Sequence, residues 1–281
     1  MKPCISQVTT MSTPLEAELP SFTRGGFRAV ELWLTKVEAY LQQHTAADLR
    51  QLLESNALVP AAAAGQGGLL LSQGEEREAH WSHFRRRLDT LAELGVPTLI
   101  VAADFPREPA PDHYHRAAAA LRQAAELAGG LGVRIALEFQ KNSSFCASLD
   151  TAVALVAESD TPHAGICLDL FHYYTGPSKF EDLAYLSAAN LAWVQVCDLS
   201  GTPRELASDS DRILPGEGDF QIEPLIDHLG SIGYEGGVSL EVLNPQIWQV
   251  SADRVSDLGY QAVRRVLRKW SQDPPEGREG A

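Results

Sequence analysis

Four successive apolar runs in the second half of the chain end on side chains that can hold a cation or move a proton. They read Arg134-Ile-Ala-Leu-Glu138, Gly165-Ile-Cys-Leu-Asp169, Ala192-Trp-Val-Gln195 and Gly237-Val-Ser-Leu-Glu241. A single carboxylate closing a strand is commonly a helix N-cap or the partner of a nearby arginine. Three carboxylates sent to one place repel one another, and at least one would need a strongly raised pKa. A divalent cation removes that conflict. With Glu138, Asp169, Gln195 and Glu241 as donors the set is all oxygen, which favours one hard ion, Mg²⁺ or Mn²⁺, over structural zinc and still admits Co²⁺.

Run-ends converge in this way only if the runs are parallel strands of one sheet. Eight short apolar runs recur, at 4–8, 29–34, 58–63, 98–103, 134–139, 165–168, 192–197 and 237–241. Between them lie stretches with apolar residues at three- and four-residue spacing, such as 80–94 and 113–128, each followed by glycine, a common helix stop. Strands that alternate with helices are parallel, because each crossover carries a helix. Eight such units in 281 residues predict an α/β fold, a single (β/α)8 TIM barrel over residues 1–270. Chemistry in that fold sits at the C-terminal ends of the strands, where the four polar residues fall. A doubly wound open sheet would normally carry a Gly-rich phosphate turn after an early strand. Gly65-Gln66-Gly67-Gly68 follows the third run instead and does not fit the dinucleotide pattern. The polar end at 271–281, with Pro and Gly, is expected to be a disordered tail.

Composition narrows the partners. Hydrophobic residues make up 44% and charged residues 21%, as in ordinary soluble globular proteins. Lys and Arg number 23 against 37 Asp and Glu, a formal charge of −14. That field repels phosphate backbones and anionic headgroups, so neither nucleic acid nor a membrane is an expected partner. The 4 cysteines form no Cys-x-x-Cys pair and fit a reducing, cytoplasmic compartment. Trp33, at the end of the second run, is placed to wall a pocket. Glu31 and Asp104 are either substrate contacts or members of internal ion pairs.

As a set, Glu138, Asp169-x-x-His172, Gln195-x-x-Asp198 and Glu241 resemble the xylose-isomerase-like TIM-barrel superfamily, which holds sugar (phosphate) isomerases and epimerases, inosose isomerases and dehydratases, and metal-dependent 3-dehydroshikimate dehydratases. The segment Asp211-Arg212-Ile-Leu-Pro215-Gly216-Glu217-Gly218 resembles that family's stretch after strand seven, and Gly233-Tyr-Glu-Gly-Gly-Val-Ser-Leu-Glu241 resembles its final strand. The likeness spans nearly the whole chain, with its specific motifs in the second half. It implies that Glu138, Asp169, Gln195 and Glu241 hold the divalent ion, that His172 serves proton transfer or substrate contact, and that Arg212 engages substrate. Family members often form dimers or tetramers, which admits a homo-oligomer and leaves the oligomeric state open. Gln195 stands where the isomerases and epimerases usually carry His, whereas some dehydratases carry Gln, so both reaction types stay open.

Those parts suit removal of a proton next to a carbonyl held at a cation. The expected activity is isomerisation or epimerisation of a small polyhydroxylated keto or aldo sugar or cyclitol, with Glu138 and Glu241 moving the proton. The alternative is dehydration of an inosose- or 3-dehydroshikimate-like substrate, with His172 as acid for the leaving hydroxyl.

Overall fold

Eight parallel strands close on themselves in sequence order in the computed structural model, which describes residues 1–106 and 108–270. The strands are β1 (Lys2–Ser6), β2 (Ala29–Trp33), β3 (Val59–Gln66), β4 (Thr98–Ala102), β5 (Arg134–Glu138), β6 (Ala164–Asp169), β7 (Leu191–Val196) and β8 (Gly237–Leu240). Around them run α1 (Leu15–Gly25), α2 (Leu34–Tyr40), α3 (Ala46–Ser55), α4 (Gly74–Leu94), α5 (His113–Gly129), α6 (Leu149–Ser159), α7 (Leu170–Thr175), α8 (Ile222–Ser231) and α9 (Ala252–Leu267). This is the expected (β/α)8 barrel; the expected tail at 271–281 lies outside the described residues. Among the described residues no helix is long and apolar enough to cross a membrane.

Beyond shifts of one residue at an end, two strands and one helix differ from expectation, each for a local reason. β1 begins two residues early because the Lys2 N–H donates to the Gly236 carbonyl and Lys2 pairs with Gly237. Its expected end, Val8, falls in a 3-10 turn over Gln7–Thr10. β3 runs on to Gln66 through a register shift between Ala63 and Gln66, where Gly65 takes a φ of +106°. α4 starts at Gly74 rather than 80, because its first turn carries Glu75 and Glu76 and gives no apolar signal. Acidic side chains are favourable there beside the unpaired N–H groups.

The barrel interior is filled mainly by small side chains. Cys4, Ala62, Ala64, Ala136 and Cys167 pack with Ile100 around one large ring, Trp193 of β7. A glycine admits that ring: a Cβ on Gly237 would lie 2.5 Å from the Trp193 indole. The interior therefore ends, toward the C-terminal mouth, in an indole N–H that can reach a polar layer above it. The other core cluster joins the barrel's outer face to the surrounding helices through residues such as Phe22, Phe84, Leu121 and Phe171.

Candidate active site

The polar layer lies at the C-terminal ends of the strands, in and beneath a cavity of about 350 Å³ lined by Trp33, Glu138, His172, Gln195, Arg212 and Glu241 among others. Asp169, wholly buried, sits just behind it. Cross-strand register sets the neighbours: Asp169 lies opposite Gln195, and Gln195 opposite Ser239. Asp169 also caps α7, its Oδ1 accepting from the Phe171 N–H at 2.7 Å. That cap turns the chain so that His172 folds back over the site.

Glu138, Asp169 and His172 each bring one potential ligand atom within 4.8 Å of the others. His172 Nε2 stands 3.6 Å from Glu138 Oε1 and 3.7 Å from Asp169 Oδ2, beyond hydrogen-bond reach in both cases. Two donors about 2.1 Å from a shared tetrahedral ion would sit ~3.4 Å apart, close to that spacing. Burial, only partly offset by Asp169, pushes the His172 ring below its ordinary pKa, so the neutral form, which has a lone pair to give, is favoured. Its Nδ1 is buried without a hydrogen-bond partner among the described residues.

Arg212 is the arginine of the layer and is only 1% exposed. Its guanidinium grips Asp169 with two bonds, Nη1 to Oδ1 at 3.1 Å and Nη2 to Oδ2 at 2.7 Å, and reaches Glu241 Oε2 at 3.0 Å. It also pairs with Asp209 at 2.8 Å and lies 4.5 Å over the Phe171 ring. Gln195 does not present its carbonyl to the cluster. Nε2 donates to Glu31 Oε1 at 3.0 Å and to Glu241 Oε1 at 2.8 Å, while Oε1 accepts from the Cys167 thiol at 3.1 Å. The expected all-oxygen quartet is thus divided: Glu138 and Asp169 gather with an imidazole, and Gln195 and Glu241 gather with each other.

Charge explains why the layer suits a cation. Glu31, Glu138, Asp169 and Glu241 are all buried, with one arginine among them. Burial, reinforced by the nearby Asp169 charge, pushes Glu138 well above the usual carboxylate range. Burial does the same to Glu241 in spite of Arg212. For Asp169 burial pulls upward too, but Arg212 and His172 outweigh it and hold the carboxyl low. A divalent ion at Glu138, Asp169 and His172 would remove the penalty that burial and mutual repulsion leave. The donor set is a candidate metal site with nitrogen and oxygen ligands.

Trp33 lines the cavity as expected, its backbone N–H held by Gln7 Oε1 at 2.7 Å. Among the described residues Glu31 forms no ion pair: it is fully buried and accepts from the Trp193 indole at 2.7 Å as well as from Gln195. Asp104 likewise accepts backbone N–H groups, from Gly68 at 3.1 Å and Leu71 at 2.7 Å, and so ties two loops together. Asp198 works in the same way, its carboxylate accepting from Leu199, Gly216 and Phe220 N–H and pinning the Pro-Gly-Glu-Gly loop that delivers Arg212. Trp193, Cys167 and Asp209 escaped the sequence reading. Only Asp209, three residues before Arg212, carried a local signal.

Comparison with known proteins agrees with this architecture. An inosose isomerase of Halalkalibacterium halodurans is 25% identical over 278 residues, covering 96% of this chain and 97% of that protein. A 3-dehydroshikimate dehydratase of Pseudomonas aeruginosa is 31% identical over 165 residues, which cover 57% of this chain and 25% of that protein. The solved structure of the IOLI protein with a bound zinc atom superposes with a TM-score of 0.91 at 21% identity, covering 97% of this chain and all of that one. Residues 24–270 match the family model of the xylose isomerase-like TIM barrel, and the chain belongs to that family.

Proposed function

We propose that this protein is a divalent-metal-dependent isomerase or epimerase of a small polyhydroxylated ketone or aldehyde, with cyclitol ketones (inososes) the favoured class. The observation that carries the reading is the pair of buried carboxylates, Glu138 and Glu241, that end β5 and follow β8 and line one cavity. Burial raises the proton affinity of both, as a proton-transfer pair requires. Full-length similarity to inosose isomerases supports the substrate class.

Glu138, Asp169 and His172 would hold the ion, and their mixed nitrogen and oxygen donors suit Mn²⁺, Co²⁺ or Zn²⁺ better than Mg²⁺. When bound, the ion would polarise the substrate carbonyl and acidify the adjacent C–H. Glu241, steadied by Arg212 and Gln195, takes the proton from that carbon. Return of a proton by Glu138 to the opposite face gives an epimer; return to the neighbouring carbon, with that carbon's hydroxyl proton passing to the former carbonyl oxygen, moves the carbonyl. Arg212 keeps positive charge beside the oxygens of the substrate, while Trp33 walls the cavity against water. The dehydratase similarity supports a second outcome of the same first step, loss of a β-hydroxyl as water.

The test is NMR in D₂O with a panel of inososes and keto-sugars and added Mn²⁺ or Zn²⁺. Deuterium at the α-carbon with recovery of an isomer is expected, and Glu241→Gln should reduce its rate at least ~100-fold. Wild-type exchange in Glu241→Gln, or no exchange from any panel member at saturating metal, would overturn the reading; an unsaturated product would select the dehydration.

A further inference from the structure

We propose that Arg87, on the helical layer outside the barrel, is a positioning residue for the substrate cavity: its guanidinium holds the glycine-rich end of β3, and with it the wall that Trp33 and Gln66 form, in the shape that receives substrate. The inference rests on the reading of that cavity as the substrate's, and it concerns strands two and three rather than the cation donors.

Gly65-Gln66-Gly67-Gly68 puts three glycines in four residues where β3 meets the cavity. Glycine confines the backbone least, so such a run takes one path only if something outside it selects that path. The strand before it offers only the short side chains of Ala61, Ala62, Ala63 and Ala64. Arg87 makes the selection. Its Nη1 donates to the Gly65 carbonyl at 2.8 Å and to Gln66 Oε1 at 3.3 Å. Gln66, so anchored, donates through Nε2 to the Gly67 carbonyl at 2.8 Å. Beyond it Asp104 takes the Gly68 and Leu71 N–H groups, and the run is held at both ends.

The other edge of the guanidinium is gripped by Glu38 of α2, Nε to Oε1 at 2.7 Å and Nη2 to Oε2 at 2.9 Å. α2 starts at Leu34, directly after Trp33. One planar fork thus spans the two elements that carry the wall, which the single ammonium of a lysine could not do. Inside the cavity the two elements meet closely. Gly65 has a φ of +106°, and a Cβ there would lie 3.3 Å from the Trp33 ring, so a shift of this turn moves the seat of the indole. Within Arg85-Arg86-Arg87 the first two residues are exposed and the third is buried in this strut. The proton-moving carboxylates stand on other strands, Glu138 ending β5 and Glu241 following β8. Loss of the strut should therefore weaken substrate binding and spare the chemical step, which reads as a raised KM with kcat kept.

The experiment compares full-length wild type, Arg87→Met and Arg87→Lys on the inosose and keto-sugar panel with added Mn²⁺ or Zn²⁺, and by hydrogen–deuterium exchange read by mass spectrometry. Arg87→Met is expected to raise KM about tenfold or more with kcat within about threefold of wild type, a loss of the size that remote misplacement causes. Arg87→Lys keeps a charge beside Glu38 without the fork and should raise KM about threefold or more. Without substrate, exchange over residues 62–71 should quicken about tenfold or more in Arg87→Met, while residues 191–196 and 237–240 keep the wild-type rate. A wild-type KM in either variant, a fall in kcat at unchanged KM, or quickening spread evenly over the barrel overturns the positioning role. Should Arg87→Met fail to fold, judged by its thermal melt, Arg87→Lys decides by the same two readouts. The exchange arm needs no turnover. If wild type converts no panel member, the isomerase reading fails by itself, and exchange still judges the strut: local quickening upholds it and wild-type exchange overturns it.

Discussion

Replacing Arg212 by Gln tests the electrostatics of the site most directly. The guanidinium is buried, makes two bonds to Asp169 and one to Glu241, and is the arginine among four buried carboxylates. Removing one partner of a buried ion pair typically costs about 3–5 kcal/mol, because the charge left behind stays desolvated. At about 2.1 cal/mol/K per residue, 281 residues give an unfolding entropy near 0.6 kcal/mol/K. The variant should therefore melt about 5–8 °C below wild type at pH 7 in chelator. The deficit should shrink on acidification. Asp169 is held low in the folded protein, so its contribution is present above the ordinary 3.8 and needs Arg212 to exist. Without Arg212 the layer can relieve itself only by taking up protons, which is easier at pH 5.5. Saturating Mn²⁺ or Zn²⁺ should also recover part of the loss, about 2.7 kcal/mol at a hundredfold excess over Kd. Melts followed by circular dichroism at pH 5.5 and 7, with and without metal, check the three statements. A drop under 2 °C at pH 7, or the same drop at both pH values, would refute the reasoning.

The metal-free wild type should lose stability as pH rises from 6 to 8. Burial raises Glu138, Glu241 and Glu31, and lifts Glu18 to about 7 against the pull of Lys36. A raised folded pKa contributes stability that is complete below the unfolded value and is lost as pH climbs through the folded one. A melting temperature that is flat or rising over that window, in chelator, counts against this. Gly237→Ala should cost about 1–3 kcal/mol, since its Cβ would meet the Trp193 ring at 2.5 Å and the packed interior cannot yield freely. An unchanged melt for that variant would contradict the close approach on which the Trp193 to Glu31 bond depends.

Much of this was legible in the sequence, for identifiable reasons. Parallel strands of a closed barrel are apolar throughout and end where the polar layer begins, so Glu138 and Asp169 could be read as strand-closing residues. The helices announced their ends through glycine, as at Gly95 with φ of +71°. The α4 start was hidden because its first turn is solvent-exposed and acidic. Glu31 was ambiguous because a carboxylate inside an apolar run has several fates, and its donors, Trp193 and Gln195, lie 162 and 164 residues away. Which way the Gln195 amide turns was not written in its position at all. The two ends are near-equal in size and differ only in hydrogen-bonding sense, so three neighbours from other strands decide it.

That dependence couples two positions that look independent along the chain. A neutral imidazole carries one N–H and could serve only one of Glu31 and Glu241, whereas the amide NH₂ serves both at once. With histidine at 195, one of the two carboxylates would lose this bond and keep only its other partner, Trp193 for Glu31 or Arg212 for Glu241, at a cost of about 0.5–1.5 kcal/mol. Glutamine at 195 and glutamate at 31 therefore stabilise each other. The Asp169 cap at the start of α7 brings His172 back over the barrel mouth, 3.6 Å from Glu138. From the Gln195 amide Glu241 gains a hydrogen bond at Oε1 beside the Arg212 contact at Oε2.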